Sequence, residues 1–255
     1  MTAAAKAWGD LRPNQLKPTH IAALTGSWSG YAPNTRYCYH QQLRVFLRRL
    51  VPYGAEPGLV ALVSKSPRPS PRVNVAGEGE LAALVAAAAQ PLKLALLLAA
   101  QLGLRSGTIA QLNPHHWNRD RNTLLFRTKF GTQQELPVTP DVQLLLELAV
   151  FGQPTNCSTP FVQLLQGLSP RIDNKMLQSQ FRQLKRATGV GRNLTFHDLR
   201  RTLAVHAHEV TKDVRQVQAI LGHADPKHTF WYLGQQRNIP DVALLTQLAN
   251  RKGKS

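Results

Sequence analysis

Toward the C-terminal end of this 255-residue chain, the segment LTFHDLRRTLAVHAHEV is followed by QAILGHADPKHTFWYLG. His197 and Arg200 stand three positions apart, a spacing that puts both on one face of a helix. His223 follows Leu221 and Gly222, and that glycine is placed to end a helix in the left-handed conformation. Tyr232 comes nine residues later. Upstream, QLGLRSGTIAQL carries Arg105 just after a glycine turn that opens a helix, and Lys129 lies at a turn between two β-rich runs, with Pro137 eight residues on. Each residue alone has an ordinary reading, as a surface cation, a satisfied polar group or, for Tyr232 beside Phe230 and Trp231, a core aromatic. Their conjunction is more specific. When a phosphodiester undergoes transesterification, charge spreads over the non-bridging oxygens in the transition state, and two guanidiniums aimed at the phosphorus can stabilise it in place of a divalent ion.

The elements that must carry these groups are mostly helical. Hydrophobic periodicity predicts helices over 79–90, 92–102, 106–112, 140–151, 172–187, 197–210, 213–221, 226–233 and 241–252. The exception is 123–138, where TLLFRT and QELPV flank Gly131 as in a hairpin. The fold class expected is therefore mainly α with a small antiparallel β element. Before residue 64 the chain reads as a separate small helical unit. Its clearest helix, over 33–51, has Leu43, Phe46, Leu47 and Leu50 on one stripe, and shorter helices are expected over 15–24 and 58–63. The stretch 64–72, SKSPRPSPR, has three prolines in nine residues and suits a stiff, extended connector. The expected organisation is thus a small helical domain at 1–63, a linker at 64–72 and a larger domain at 73–255 that carries the candidate chemical groups. Residues 1–72 carry ten Lys and Arg against two acids. Arg36, Arg44, Arg48, Arg49, Arg68 and Arg72 are the candidates for gripping a nucleic-acid backbone.

The order Arg105, Lys129, His197 with Arg200, His223 and Tyr232 resembles the tyrosine recombinase (phage integrase) family, over roughly residues 77–234. The resemblance implies that Tyr232 is a nucleophile forming a 3′-phosphotyrosyl bond, and that Arg105 and Arg200 stabilise the phosphorane-like transition state. His197 and His223 would bond the same phosphate, with His197 also a candidate base, and Lys129 would protonate the departing 5′-oxygen. It implies further a specific double-stranded core site, two protomers per site and four in a synapse. The amphipathic 241–252 segment, with Val242, Leu245, Leu248 and Ala249 on one stripe, would be exchanged between neighbours. One departure stands out: where many members have an acid three positions after the first arginine, this chain has Thr108.

Composition points the same way. Thirty-one Lys and Arg against 14 Asp and Glu give a formal charge of +17, which suits a polyanionic partner. Cys38 and Cys157 cannot form a disulfide framework, and no apolar run is long enough for a bilayer, so a cytoplasmic protein without membrane partners is expected. Neither a P-loop nor a carboxylate cluster for two magnesium ions is present, so no cofactor or metal is expected. The competing readings are a type IB topoisomerase, a DNA-binding protein descended from a recombinase, and a metal-dependent nuclease. The nuclease reading is prompted by His115 with His116 and His206 with His208, pairs whose helical spacing turns them apart.

Overall fold

In the computed structural model of the chain, the residues described are 7–65, 69, 74–128, 131–167, 171–190 and 193–233. The chain divides into two compact units, Met1–Ser70 and Pro71–Ser255.

In the first unit, Pro18 and Pro33 open the two helices α1 (Pro18–Gly26) and α2 (Pro33–Leu50), where a residue lacking an N–H costs nothing. Leu43 and Leu47 of α2 are buried with Trp8, Leu16, Ile21, Leu24, Trp28, Leu59 and Val63. Phe46, expected on the same stripe, is 37% exposed. Two of the expected elements differ. The helix over 15–24 is split into a 3-10 turn at Pro13–Gln15 and α1, because Pro18 cannot lie inside a helix. The helix over 58–63 is only a 3-10 turn, Pro57–Val60.

The second unit is built on α4 (Leu92–Gln101), which follows α3 (Glu78–Ala87). Leu94, Leu96 and Leu98 of α4 are wholly enclosed, as expected of a helix that is apolar on all sides. After the short α5 (Ser106–Ile109) come three antiparallel strands in order β1 (Trp117–Asn118), β2 (Thr123–Arg127) and β3 (Gln133–Pro137). The expected hairpin is thus the outer part of a three-stranded sheet, in which Phe126 pairs with Gln134 and Leu124 with Leu136. All four face the interior, in the two-residue alternation of a half-buried sheet. The two-residue β1 is too short to announce itself by alternation. The remaining helices are α6 (Pro140–Val150), α7 (Phe161–Gln166), α8 (Asn174–Ala187), α9 (Phe196–Thr211), α10 (Val214–Leu221) and α11 (Pro226–Tyr232). The short α7 was not anticipated. Helix α9 packs along α4, and α10 and α11 pack on α9. The chemistry-bearing residues therefore stand on one rigid helical assembly. The linker arginines Arg68 and Arg72, Lys129 and the 241–252 segment lie outside the described residues.

Candidate active site

Each candidate side chain is placed by a local device at the end of a helix. Gly103 turns the chain out of α4 with φ +65°, and a Cβ there would come within 3.1 Å of Leu203. This lets Arg105 serve as the N-cap residue of α5. Thr195 caps α9, and its backbone N–H and hydroxyl both donate to the Asp198 carboxylate at 2.8 Å. With the helix start fixed, His197 and Arg200 take up their positions one turn apart. At the far side, α10 ends on Gly222 with φ +57°, and the His223 N–H reaches back to the Gln218 carbonyl at 3.1 Å. Tyr232 is the last residue of α11.

These groups converge. The guanidinium of Arg200, 2% exposed, donates to the carbonyls of Gly103 and Leu221, which lock its plane. Its Nη2 is also 3.1 Å from His223 Nε2, while His223 Nδ1 is 3.0 Å from the Thr229 hydroxyl. Since arginine can only donate, His223 Nε2 accepts and Nδ1 carries the proton, donating it to Thr229. The Tyr232 hydroxyl is hydrogen-bonded to His197 Nε2. Its ring lies 5.2 Å from both His197 and His223, with the Arg200 and Arg201 guanidinium carbons 5.9 and 5.1 Å from the ring centre.

The electrostatics follow from this crowding of cations in a partly dry site. The His223 pKa is lowered to about 3, first by burial and then by Arg200 and Arg105. His197, an exposed residue on the groove, is lowered to about 4 by its partial burial and then by Arg200, Arg201 and Arg105. Both imidazoles are neutral at pH 7, so His197 is able to accept a proton from the phenol bonded to it. Burial raises the Tyr232 pKa, and the Arg200 and Arg105 charges pull it back down. Arg200 itself is lowered to about 10 by burial and by Arg105, and stays charged.

Arg105, half-buried, shares a groove of about 850 Å³ with Thr108, Gln111, Arg127, Thr128 and His197. Such a cavity, open and lined by cations and amides, can admit a phosphodiester. Thr108 is on its wall, where the acid of many relatives would be. Ser106, beside Arg105, donates to Asn174 of α8 at 2.5 Å. Of the six candidate catalytic residues, Arg105, His197, Arg200, His223 and Tyr232 are brought together. Lys129 lies outside the described residues, immediately after Thr128 of the groove wall. Among the described residues no three His, Cys, Asp or Glu side chains are grouped to hold a metal.

Sequence reasoning passed over four contributors. Arg201, adjacent to Arg200, packs on the Tyr232 ring and pairs with Asp198 at 3.3 Å. Asp198 had a readable signal, the Thr-x-x-Asp capping pattern. Thr229 and Gln134 had none, because their roles depend on contacts between separate elements.

Comparison with known proteins agrees with this geometry. Residues 77–238 match the phage integrase family. A tyrosine recombinase XerC of Chlamydia caviae is 28% identical over 135 residues, 51% of this chain and 42% of the relative, so the chain matches less than half of that protein's length. Among solved structures, a lambda integrase dimer bound to a COC′ core site matches with TM-score 0.71 at 16% identity, covering 94% of this chain and 70% of that one. A lambda integrase tetramer bound to a Holliday junction matches with TM-score 0.67 at 17% identity, covering 88% and 69%. With a family match over more than half its length and the arginine, histidine and tyrosine groups of that family assembled at one site, the chain belongs to the phage integrase (tyrosine recombinase) family.

Proposed function

We propose that the chain is a site-specific DNA recombinase that cuts and rejoins strands through a covalent bond to Tyr232. The observation that carries this is the hydrogen bond from the Tyr232 hydroxyl to a neutral His197, beside the buried Arg200. In the forward step the Tyr232 oxygen attacks phosphorus and its proton passes to His197 Nε2. Arg105 and Arg200 take up the charge on the non-bridging oxygens. His223, expected to bond the phosphate, has both ring nitrogens engaged and instead acts by holding Arg200. Lys129 gives a proton to the departing 5′-oxygen, leaving a 3′-phosphotyrosyl bond and a free 5′-hydroxyl. Attack by a second 5′-hydroxyl reverses these steps and releases Tyr232, so the bond energy is conserved without ATP.

The partner is double-stranded DNA, supported by the formal charge of +17. Two protomers per site and four in a synapse follow the dimer and tetramer in which lambda integrase is seen on DNA. The first unit grips the backbone through Arg36, Arg44, Arg48 and Arg49, joined by the 64–72 linker, and the 241–252 segment is exchanged between neighbours. Among the described residues no helix is long and apolar enough to cross a membrane. The compartment proposed is the one that holds the DNA, the cytoplasm or nucleoid of a prokaryotic cell. That the named relatives are recombinases and integrases favours exchange between two sites over relaxation of one duplex.

The test is a nicked suicide substrate, which traps the covalent adduct. Wild-type protein is expected to form a denaturation-resistant complex, and Tyr232→Phe to bind the same DNA but form none. An adduct with the Phe variant would mean that another residue is the nucleophile.

A further inference from the structure

Of the last three carbonyls of α10, that of Ala219 accepts from the Gly222 N–H at 3.1 Å, and those of Ile220 and Leu221 have no partner within the helix. The Leu221 carbonyl accepts from Arg200. The other two accept from one amide, Gln134 Nε2, at 3.2 Å to Ala219 and 2.8 Å to Ile220. Gln134 lies on β3, more than 80 residues earlier in the chain, and is 9% exposed. Its other amide atoms lie against Gly222, so closely that a Cβ there would meet Oε1 at 2.3 Å and Cδ at 2.7 Å. Gly222 is therefore held to glycine by contact with Gln134 as well as by its φ of +57°. The residue after it is His223, whose carbonyl is fixed by the Gln218 side chain at 2.8 Å and whose ring holds Arg200.

The other side of this connection is the groove. Gln134 pairs with Phe126 of β2, and the neighbouring Gln133, Arg127 and Thr128 line the groove that holds Arg105 and His197. One buried amide thus ties the sheet that walls the groove to the helix end that sets His223.

We propose that Gln134 is a positioning residue for strand cleavage: it seats the α10 terminus so that His223 can hold Arg200, and it couples the sheet that walls the groove to that pair. This rests on the recombinase reading above. Displacing a reacting assembly by about 1 Å costs on the order of 10²-fold in rate, so loss of the amide donor should be felt in catalysis rather than in binding.

The experiment measures single-turnover adduct formation at saturating nicked DNA with the full chain. Gln134→Met keeps the side-chain length and removes the donor, and Gln134→Lys supplies a long donor in its place. Gln134→Met is expected to cut the rate roughly 10- to 100-fold with unchanged DNA affinity, and Gln134→Lys to recover part of that loss. In a His223→Ala background the Met substitution should have little further effect, because both changes release the same guanidinium. Wild-type rate in Gln134→Met, full multiplication of the two defects, or failure of both variants to fold would overturn the proposal and leave Gln134 a structural strut. If the wild-type chain forms no adduct at Tyr232, the recombinase reading fails instead.

Discussion

Two sets of arginines differ in how the fold holds them, and on the proposed function they would divide its work. On α2 of the first unit, Arg48 and Arg49 are exposed in the last turn of a helix whose other face is core. In the second unit Arg200 is 2% exposed, bonded to two carbonyls and a histidine. A solvated cation on a flexible stem attracts phosphates wherever they lie, and salt screens it. A buried guanidinium held on several sides costs desolvation, here enough to lower its pKa to about 10, but it meets developing charge without reorganising. Exposure suits affinity, and burial suits rate.

The sharpest way to break this contrast is Arg200→Ala. Adduct formation on a nicked substrate should fall by about 10²–10³, with binding in gel shifts nearly intact. Arg200→Lys should recover little, since an ammonium cannot span the Gly103 and Leu221 carbonyls and His223 together. A rate loss that merely tracked lost affinity would make Arg200 one more backbone contact.

The pH response should separate the buried set next. His223 has a folded pKa of about 3, below its ordinary value near 6.5, so between these values the unfolded chain binds a proton that the folded chain refuses. The stability it supports is complete above pH 6.5 and declines as pH falls toward 3, at a slope of up to about 1.4 kcal/mol per pH unit. Thermal melts of His223→Asn should show a shallower acid slope than wild type. The acid limb of the cleavage rate should fall near His197's value of about 4 rather than at 6.5. A limb at the ordinary histidine value would mean that His197 is not held neutral by its surroundings.

Smallest in expected effect is the double change Arg48→Gln with Arg49→Gln. The salt dependence of DNA binding should become shallower by about 0.9 in log–log slope for each phosphate contact removed. Cleavage at saturating DNA should be unchanged. An unchanged slope would remove these two arginines from the DNA interface.

How much of this was legible depends on the range of the interaction. His197 and Arg200 were readable because three positions on a helix define a face, and Gly222 because a helix end needs a left-handed residue. Elsewhere the expected elements differed. Pro18 cut an expected helix at its start, and the helix at 58–63 shrank to a single 3-10 turn. Phe46 continued an apolar stripe beyond the packed surface. The spacing from His197 favoured Arg200, but the packing of Arg201 on the Tyr232 ring had no signal, since the direction of a neighbouring side chain is assigned only by packing.

By itself, then, the sequence determined the family, the mainly helical fold and the five described groups that meet at one site, because types and short spacings survive without knowledge of packing. Only the tertiary structure decided which arginine is buried, which nitrogen of His223 carries the proton and why Gln134 sits against Gly222. Those outcomes depend on groups distant in the chain competing for the same buried carbonyls and ring faces, and a buried donor takes whatever acceptor folding brings to it.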